Sequence, residues 1–413
     1  MSQLLKMYLD AYRGLSRASW MLAIVMLINR TGSMVLPFLG VYMIDHLKFS
    51  LAESGFVLSF FGLGSVAGSF VGGYLTDKIG EYSVQTFSLF TSVLLFCLLP
   101  AFTTVASLSA MIFVQSFVSD LFRPANSVAI TKYAKAENIT RAFSLNRMAV
   151  NLGFSMGPAI GGILAAISYN FLFYTNAAAA LIAGITYVLF FKRRHQIFKR
   201  KQAAKKLLSQ TSEPTVKKSA YFDGRFVVFC LLCASFSICF FQLLNTLPLF
   251  YKEAVKLDQK TIGLLLGYSG LVVVLLEMIL VNIAERKLSI MATMVIGSVL
   301  CAVSYGMLGF NHSITILFAS ITFLSCGEIL ILPFMATITA ISSGSNNKGS
   351  YMGMNGMSVA IAFIVSPLLG SKMAVQYGFN TLWIGTAVIL LLTAVGFYFS
   401  IPWLLAKRPK PVA

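Results

Sequence analysis

Negative charge is scarce in this chain: 14 Asp and Glu stand against 32 Lys and Arg in 413 residues, and charged residues of both signs make up only 11%. With 57% hydrophobic residues and a mean hydropathy of +0.81, too little polar surface remains to coat soluble domains of this total length. The composition is that of a membrane protein. Histidine is rarer still, at three residues, and H-E-x-x-H, G-K-[ST] and a dinucleotide glycine fingerprint are all missing. Nothing therefore supports zinc hydrolysis, ATP use or nucleotide redox chemistry; no enzyme, no cofactor and no metal is expected. The six Cys are scattered, and the Cys230-x-x-Cys233 pair sits in an apolar run, where two small core residues are the simpler reading. Polar–apolar alternation is absent from runs such as "LIAGITYVLFF", which excludes a membrane β-barrel. The first apolar run exceeds the apolar region of a signal peptide, and no small-residue cleavage site follows it.

What is present is apolar length. A hydrocarbon core about 30 Å thick needs roughly 20 helical residues, and twelve runs qualify: 20–43, 53–75, 84–104, 107–131, 143–168, 170–191, 226–250, 260–283, 289–309, 313–338, 350–372 and 378–404. With both termini inside, the inner segments hold 24 Lys and Arg and the outer loops five (Lys48, Lys252, Lys256, Lys260, Lys372), a bias that supports this orientation. The same placement answers the net charge of +18. Basic residues flanking membrane helices serve orientation and anionic lipid, so nucleic acid is not an expected partner.

Residues 192–225 form the one long polar connection and divide the chain into a first six-span bundle, 1–191, and a second, 226–413. The basic segment 192–206 is read either as a surface helix on anionic lipid or as a solvated tether, and "SQTSEPT" as a flexible linker. The halves carry traces of a repeat. A shift of 209 places Pro124 on Pro333, and "NRMAVNLGFSMGPAIG" (146–161) on "NGMSVAIAFIVSPLLG" (355–370). Paired bundles with helix-breaking residues at matching places suit a transporter whose halves rock against each other. In "GFSMGPAIGG" (153–162) the small residues allow close backbone approach and Pro bends the helix; simple packing explains this, and a part in closing the inner route is the sharper reading.

Ionisable residues inside spans cost roughly 2.5–3.5 kcal/mol each on insertion scales unless they face a cavity or a partner. Arg30, Asp120, Arg123, Glu277 and Glu328 fall in this class. In span 4, Gln115, Ser119, Arg123 and Asn126 recur at helical spacing and are expected to line a central cavity. Asp120 precedes Arg123 by three residues, so the two are either a structural pair or a proton site beside a cation. Glu328 lies mid-span with no basic residue in its own span; apolar surroundings disfavour its ionised form and let it exchange a proton for a cationic substrate. Glu277 lies nearer the inner end of span 8, where snorkelling, a structural pair and coupling are all open. Arg30, beside Asn29, would attract an anion or stabilise ionised Asp120. Arg147 is read as an interfacial residue. Gln242 and Asn245 in span 7 are either substrate contacts or hydrogen-bonded packing.

The loop "GGYLTDKIGEYS" (72–83) places Asp77 at the inner end of span 2, able to accept from a helix N-terminus or an Arg, with Gly73 and Gly80 permitting close approach and a tight turn. An ordinary loop carboxylate is the alternative. In this loop and in "GFSMGPAIGG" the chain resembles the major facilitator superfamily, particularly its twelve-span drug:proton antiporters, the LmrP-like and MdtH-like multidrug proteins. Gly73, Leu75, Asp77, Lys78 and Gly80 match the superfamily's loop motif, while Glu81 and Tyr82 stand where it prefers basic residues. Gly153, Gly157, Pro158, Gly161 and Gly162 match the antiporter motif at every specified position, and the second-half loop copy, 281–289, is degenerate. The resemblance implies an all-α major facilitator fold of two pseudo-symmetric six-helix bundles, conformational gating at these two motifs, and a proton and substrate role for Glu328. Asn146 stands where the LmrP-like proteins carry a carboxylate.

The expectation is a monomeric proton-coupled transporter of the bacterial inner membrane, with both termini cytoplasmic, exporting lipophilic or cationic small molecules by alternating access. Protons would be carried by Glu328, Asp120 and Glu277. Two alternatives stay open: a symporter importing a peptide, siderophore or other anionic nutrient, which Arg30 and Arg123 would suit, and a transport-dead receptor or scaffold.

Overall fold

A computed structural model describes residues 10, 12–32, 35–208, 220–244, 246–343 and 347–406. Among them no strand occurs. In a bilayer every backbone N–H and C=O must be satisfied within the segment, so apolar runs of this length become helices.

Nine described helices are long and apolar enough to cross a membrane. One of them, Lys348–Leu405, holds two spans joined at Gly378, whose φ of 81° is left-handed and turns the chain where another residue would be strained. Ile139–Ile167 and the segmented first helix complete twelve. In chain order they are α1 (Arg17–Thr31, then Val35–Val41 and a π-turn Tyr42–His46), α2 (Leu51–Ile79), α3 (Glu81–Leu98), α4 (Val105–Tyr133), α5 (Ile139–Ile167) and α6 (Tyr169–Leu208). The second half holds α7 (Gly224–Phe240, continuing past Phe241–Leu243 as Thr246–Glu253), α8 (Gln259–Lys287), α9 (Ile290–Leu308), α10 (Ile314–Ser342), α11 (348–377) and α12 (379–405).

Local chemistry sets the helix ends. Ser50 and Glu53 form a capping box that starts α2, Thr104 and Ser107 form another at α4, and Ser289 caps α9. Gly80, at φ 87°, joins α2 to α3. Pro124 and Pro333 both lie inside helices, α4 and α10, as the internal repeat predicts.

Lipid tails are as apolar as leucine, so helices in a membrane associate by close packing and hydrogen bonds. Gly64, Gly68 and Gly72 bring α2 onto the α4 backbone at Phe113, Phe117 and Leu121. The second bundle packs around Phe226, Phe229, Phe236, Tyr305 and Trp383, all fully buried. One apolar cluster crosses between the halves: Met278, Ala340 and Met352 pack among Leu22, Phe122, Phe143 and Ala149.

The basic segment after span 6 is neither a separate surface helix nor a tether up to residue 208, because α6 continues without a break to Leu208. Its turn at 195–198 lies level with the ends of α3 and α4: His195 stacks on Tyr82, and Lys132 Nζ stands 3.7 Å from the Phe198 ring centroid. This end of the molecule, which carries the 192–200 basic run, is called the basic end below.

Candidate functional site

The two halves meet at the basic end through α2 against α11 and α5 against α8 and α10. At the first seam Asp77 Oδ1 accepts from the Gly349 N–H at 2.6 Å, and Oδ2 accepts from the Ser350 N–H at 2.7 Å and from Ser350 Oγ at 2.5 Å. The carboxylate thus occupies the N-terminus of α11, where unsatisfied backbone donors and the helix dipole favour negative charge. Gly73 lies one turn back in α2; a Cβ there would stand 2.6 Å from the Gly349 carbonyl oxygen. Replacing Gly73 by Val is therefore expected to hold α2 and α11 apart and to abolish transport at unchanged membrane levels, with Gly73→Ala milder. Equal activity of all three would remove the seam from the mechanism.

Lys78 points away from this contact, with its Nζ 4.5 Å from the Tyr74 ring centroid. Glu81, placed where the loop motif prefers a base, is buried and paired with Lys132 of α4. The departure from the motif is thus matched by a cation inside the first bundle.

The second seam repeats the first by other means. Glu285 ends α8 as Asp77 ends α2, and its Oε2 lies 3.0 Å from Arg141 Nε near the start of α5. The degenerate loop copy keeps its acid and exchanges a helix terminus for an arginine. Beside this pair Thr337 Oγ1 donates to Thr140 Oγ1 at 3.1 Å.

Deeper again lies the densest charge in the seam. Arg147, about 12 Å along α5 from its first residue at 1.5 Å per residue, donates Nε to Glu277 Oε1 at 3.0 Å and Nη2 to Glu328 Oε1 at 2.8 Å. Ser144 Oγ donates to the same Glu277 oxygen at 3.0 Å. Glu277 is fully buried and Glu328 is 7% exposed. Glu328 is therefore not isolated: its own span has no base, but α5 supplies one. Arg147 is no interfacial residue either, since its partners lie 130 and 181 positions away in the other half.

The first bundle holds the converse arrangement. Asp120 Oδ1 and Arg123 Nε are 2.8 Å apart, and Arg30, from α1, lies within electrostatic reach of both. Gly153 of the "GFSMGPAIGG" motif makes room for α1 there, since a Cβ at 153 would stand 3.0 Å from the Arg30 carbonyl carbon. Gly157 and Gly161 are buried in α5; the side chain of Pro158 and the surroundings of Gly162 lie outside what is described.

The polar stripe of span 4 does not stay on one cavity. Gln115 Nε2 donates to Ser119 Oγ at 2.9 Å, and Ser119 meets Ser92 of α3 at 3.3 Å. Asn126 Nδ2 donates to Asn146 Oδ1 of α5 at 3.1 Å. Arg123 is the open member, with 27% of its side chain exposed. Gln242 spends its amide on packing, donating to the Ser366 carbonyl at 3.3 Å and accepting from Thr246. Asn29 lies half-buried on α1 beside Arg30, and Asn245 lies outside the described residues.

Twelve apolar helices in two bundles, with acids and bases buried where the bundles meet, make this a multi-pass membrane transporter rather than an enzyme. The chain belongs to the Major Facilitator Superfamily, whose sequence profile matches residues 21–291 and 248–413. It is 26% identical over 386 residues to the uncharacterized MFS-type transporter YttB of Bacillus subtilis strain 168, covering 91% of this chain and 93% of that one. It is 22% identical over 374 residues, 88% of each chain, to the multidrug resistance protein MdtH of Blochmanniella pennsylvanica strain BPEN. Among solved structures, a bacterial homologue of the iron transporter ferroportin in its outward-facing state superposes with a TM-score of 0.73 at 14% identity, over 92% of this chain and 98% of that one. At that identity the likeness concerns the fold.

Proposed function

We propose that the protein is a proton-coupled antiporter that exports lipophilic, cationic compounds by alternating access, with bundles 1–191 and 226–413 rocking about the seam. The observation that carries this reading is the charge count at Arg147: two buried carboxylates share one guanidinium. Ionised, the trio holds an excess negative charge in an apolar setting, which a proton or a cation neutralises. Kinship with a multidrug resistance protein supports drug export as the kind of transport.

In this reading the basic end faces the cytoplasm of a bacterial inner membrane, both termini are cytoplasmic, the monomer is the working unit, and the first turns of 192–206, where α6 leaves the bilayer, meet anionic headgroups. Asp77 and Glu285 then hold the cytoplasmic route shut, which makes the arrangement outward-facing. The first bundle favours a second reading, since Arg30 and Arg123 outnumber Asp120 and would suit an anionic nutrient taken up with protons.

Purified protein in sealed liposomes with an internal pH dye and an imposed proton gradient separates the two. Export predicts that lipophilic cations drive proton movement opposite to their own. Proton movement in the same direction as a peptide or another anion, with no response to cations, would replace export by symport.

A further inference from the structure

We infer that Arg147, Glu277 and Glu328 form a one-proton site that closes the basic end only when the three carry no net charge, with the proton held on Glu277 Oε2. The inference rests on the proton-coupled reading above and deepens it by assigning the proton to an atom and its number to one.

The two carboxylates are held differently. Glu328 presents Oε1 to Arg147 Nη2 at 2.8 Å, the shorter of the two ion pairs, and its carbonyl lies 3.5 Å from Nη1. Glu277 accepts both Ser144 Oγ and Arg147 Nε on Oε1. Its other oxygen, Oε2, is buried with no hydrogen-bond partner among the described residues. A bare anionic oxygen in a dry seam is costly, whereas a carboxylic acid keeps its carbonyl oxygen as acceptor and carries the proton on the other. The geometry thus pairs ionised Glu328 with Arg147 and leaves Glu277 neutral. Removing that proton leaves a buried net negative charge, which is relieved when the seam opens to water.

Other titratable groups do not compete for this role. On α5 and α8, Arg141 and Glu285 pair with each other toward the basic end. On α9, Cys301 and Tyr305 lie within electrostatic reach of Glu328, but thiols and phenols ordinarily keep their protons below pH 8. Asp77 faces the α11 N-terminus, Glu81 faces Lys132, and Asp120 faces Arg123 and Arg30. His195 stacks on Tyr82 at the start of α3, and His195→Asn, expected to keep the wild-type pH response, serves as its control.

The test needs no substrate. Spin labels at Lys135→Cys and Lys287→Cys, exposed positions on opposite halves of the basic end, report the seam by pulsed electron resonance in lipid nanodiscs. Cys97 and Cys326 are replaced by Ser; the remaining cysteines are buried. The wild-type short-distance population is expected to grow as pH falls from 8 to 5. Glu277→Gln and Glu328→Gln each balance the charge without a proton, so each is expected to show the same short-distance population at pH 8 as at pH 5. Arg147→Lys keeps the count and is expected to keep the pH response. A wild-type response in either Gln variant, or closure that grows with rising pH, overturns the one-proton site. These arms contain no cargo, so a failure to export cations would leave their outcome standing and would overturn only the export reading.

Discussion

Arg147→Ala is expected to cost about 3–5 kcal/mol of stability, the usual penalty for removing one partner of a buried ion pair. The loss follows from what is left behind: Glu277 and Glu328 remain in the seam with no cation, held only by Ser144. The sign of its pH dependence follows too. Ionised, the orphaned acids destabilise the fold; protonated, they do not, so the penalty shrinks as pH falls from 8 to 5. A thiol-reactive dye can follow thermal unfolding, because Cys230, Cys233, Cys239 and Cys301 are buried until the bundle opens. Adding Glu277→Gln and Glu328→Gln to Arg147→Ala should recover most of the loss. A triple variant as unstable as the single would mean that the guanidinium acts by packing and not by charge.

Glu328→Gln is expected to abolish coupled proton movement, reducing it to the level of protein-free liposomes, while downhill substrate exchange persists. Glutamine preserves the shape of the side chain and can still accept from Arg147, but its charge is fixed. With Glu328 neutral, Arg147 is balanced by Glu277 alone, and closing the seam no longer requires a proton. Measuring substrate counterflow beside proton flux in the same liposomes separates loss of coupling from loss of binding. Proton flux that survives the substitution would take the coupling away from the Arg147 trio and point to Asp120, the buried acid beside Arg123 and Arg30.

Much of this architecture is legible in the residues because its physics is local. Twelve apolar runs become twelve helices since each must satisfy its own backbone in lipid. Asp120 and Arg123 meet because three residues on a helix bring side chains to one face. Asp77 was readable as a carboxylate suited to a helix terminus, although nothing nearby names α11 as the owner of that terminus. The extension of α6 was less legible, since apolar and basic stretches of similar helix propensity continue one another and only hydropathy changes at 192.

Arg147 escaped the sequence for a different reason. It looked interfacial because depth along α5 says nothing about what stands opposite, and its two acids come from helices more than 100 residues on. Glu328 looked isolated by the same local reckoning, and Ser119 looked cavity-facing although its partner on α3 draws it into packing; for Gln242 the residues left substrate contact and packing open, and its partner on α11 decides for packing. Glu285 could have been found by laying 281–289 on 72–83 and asking only where the acid fell.

Composition and apolar periodicity, acting within single segments, determined by themselves that this chain crosses a membrane twelve times, that its basic loops lie on one side, and that Glu328 is buried at mid-span. Only the tertiary structure decided that Arg147 answers both Glu277 and Glu328, because charge pairing in an apolar seam depends on distances between helices, and those are set when the two halves close on each other.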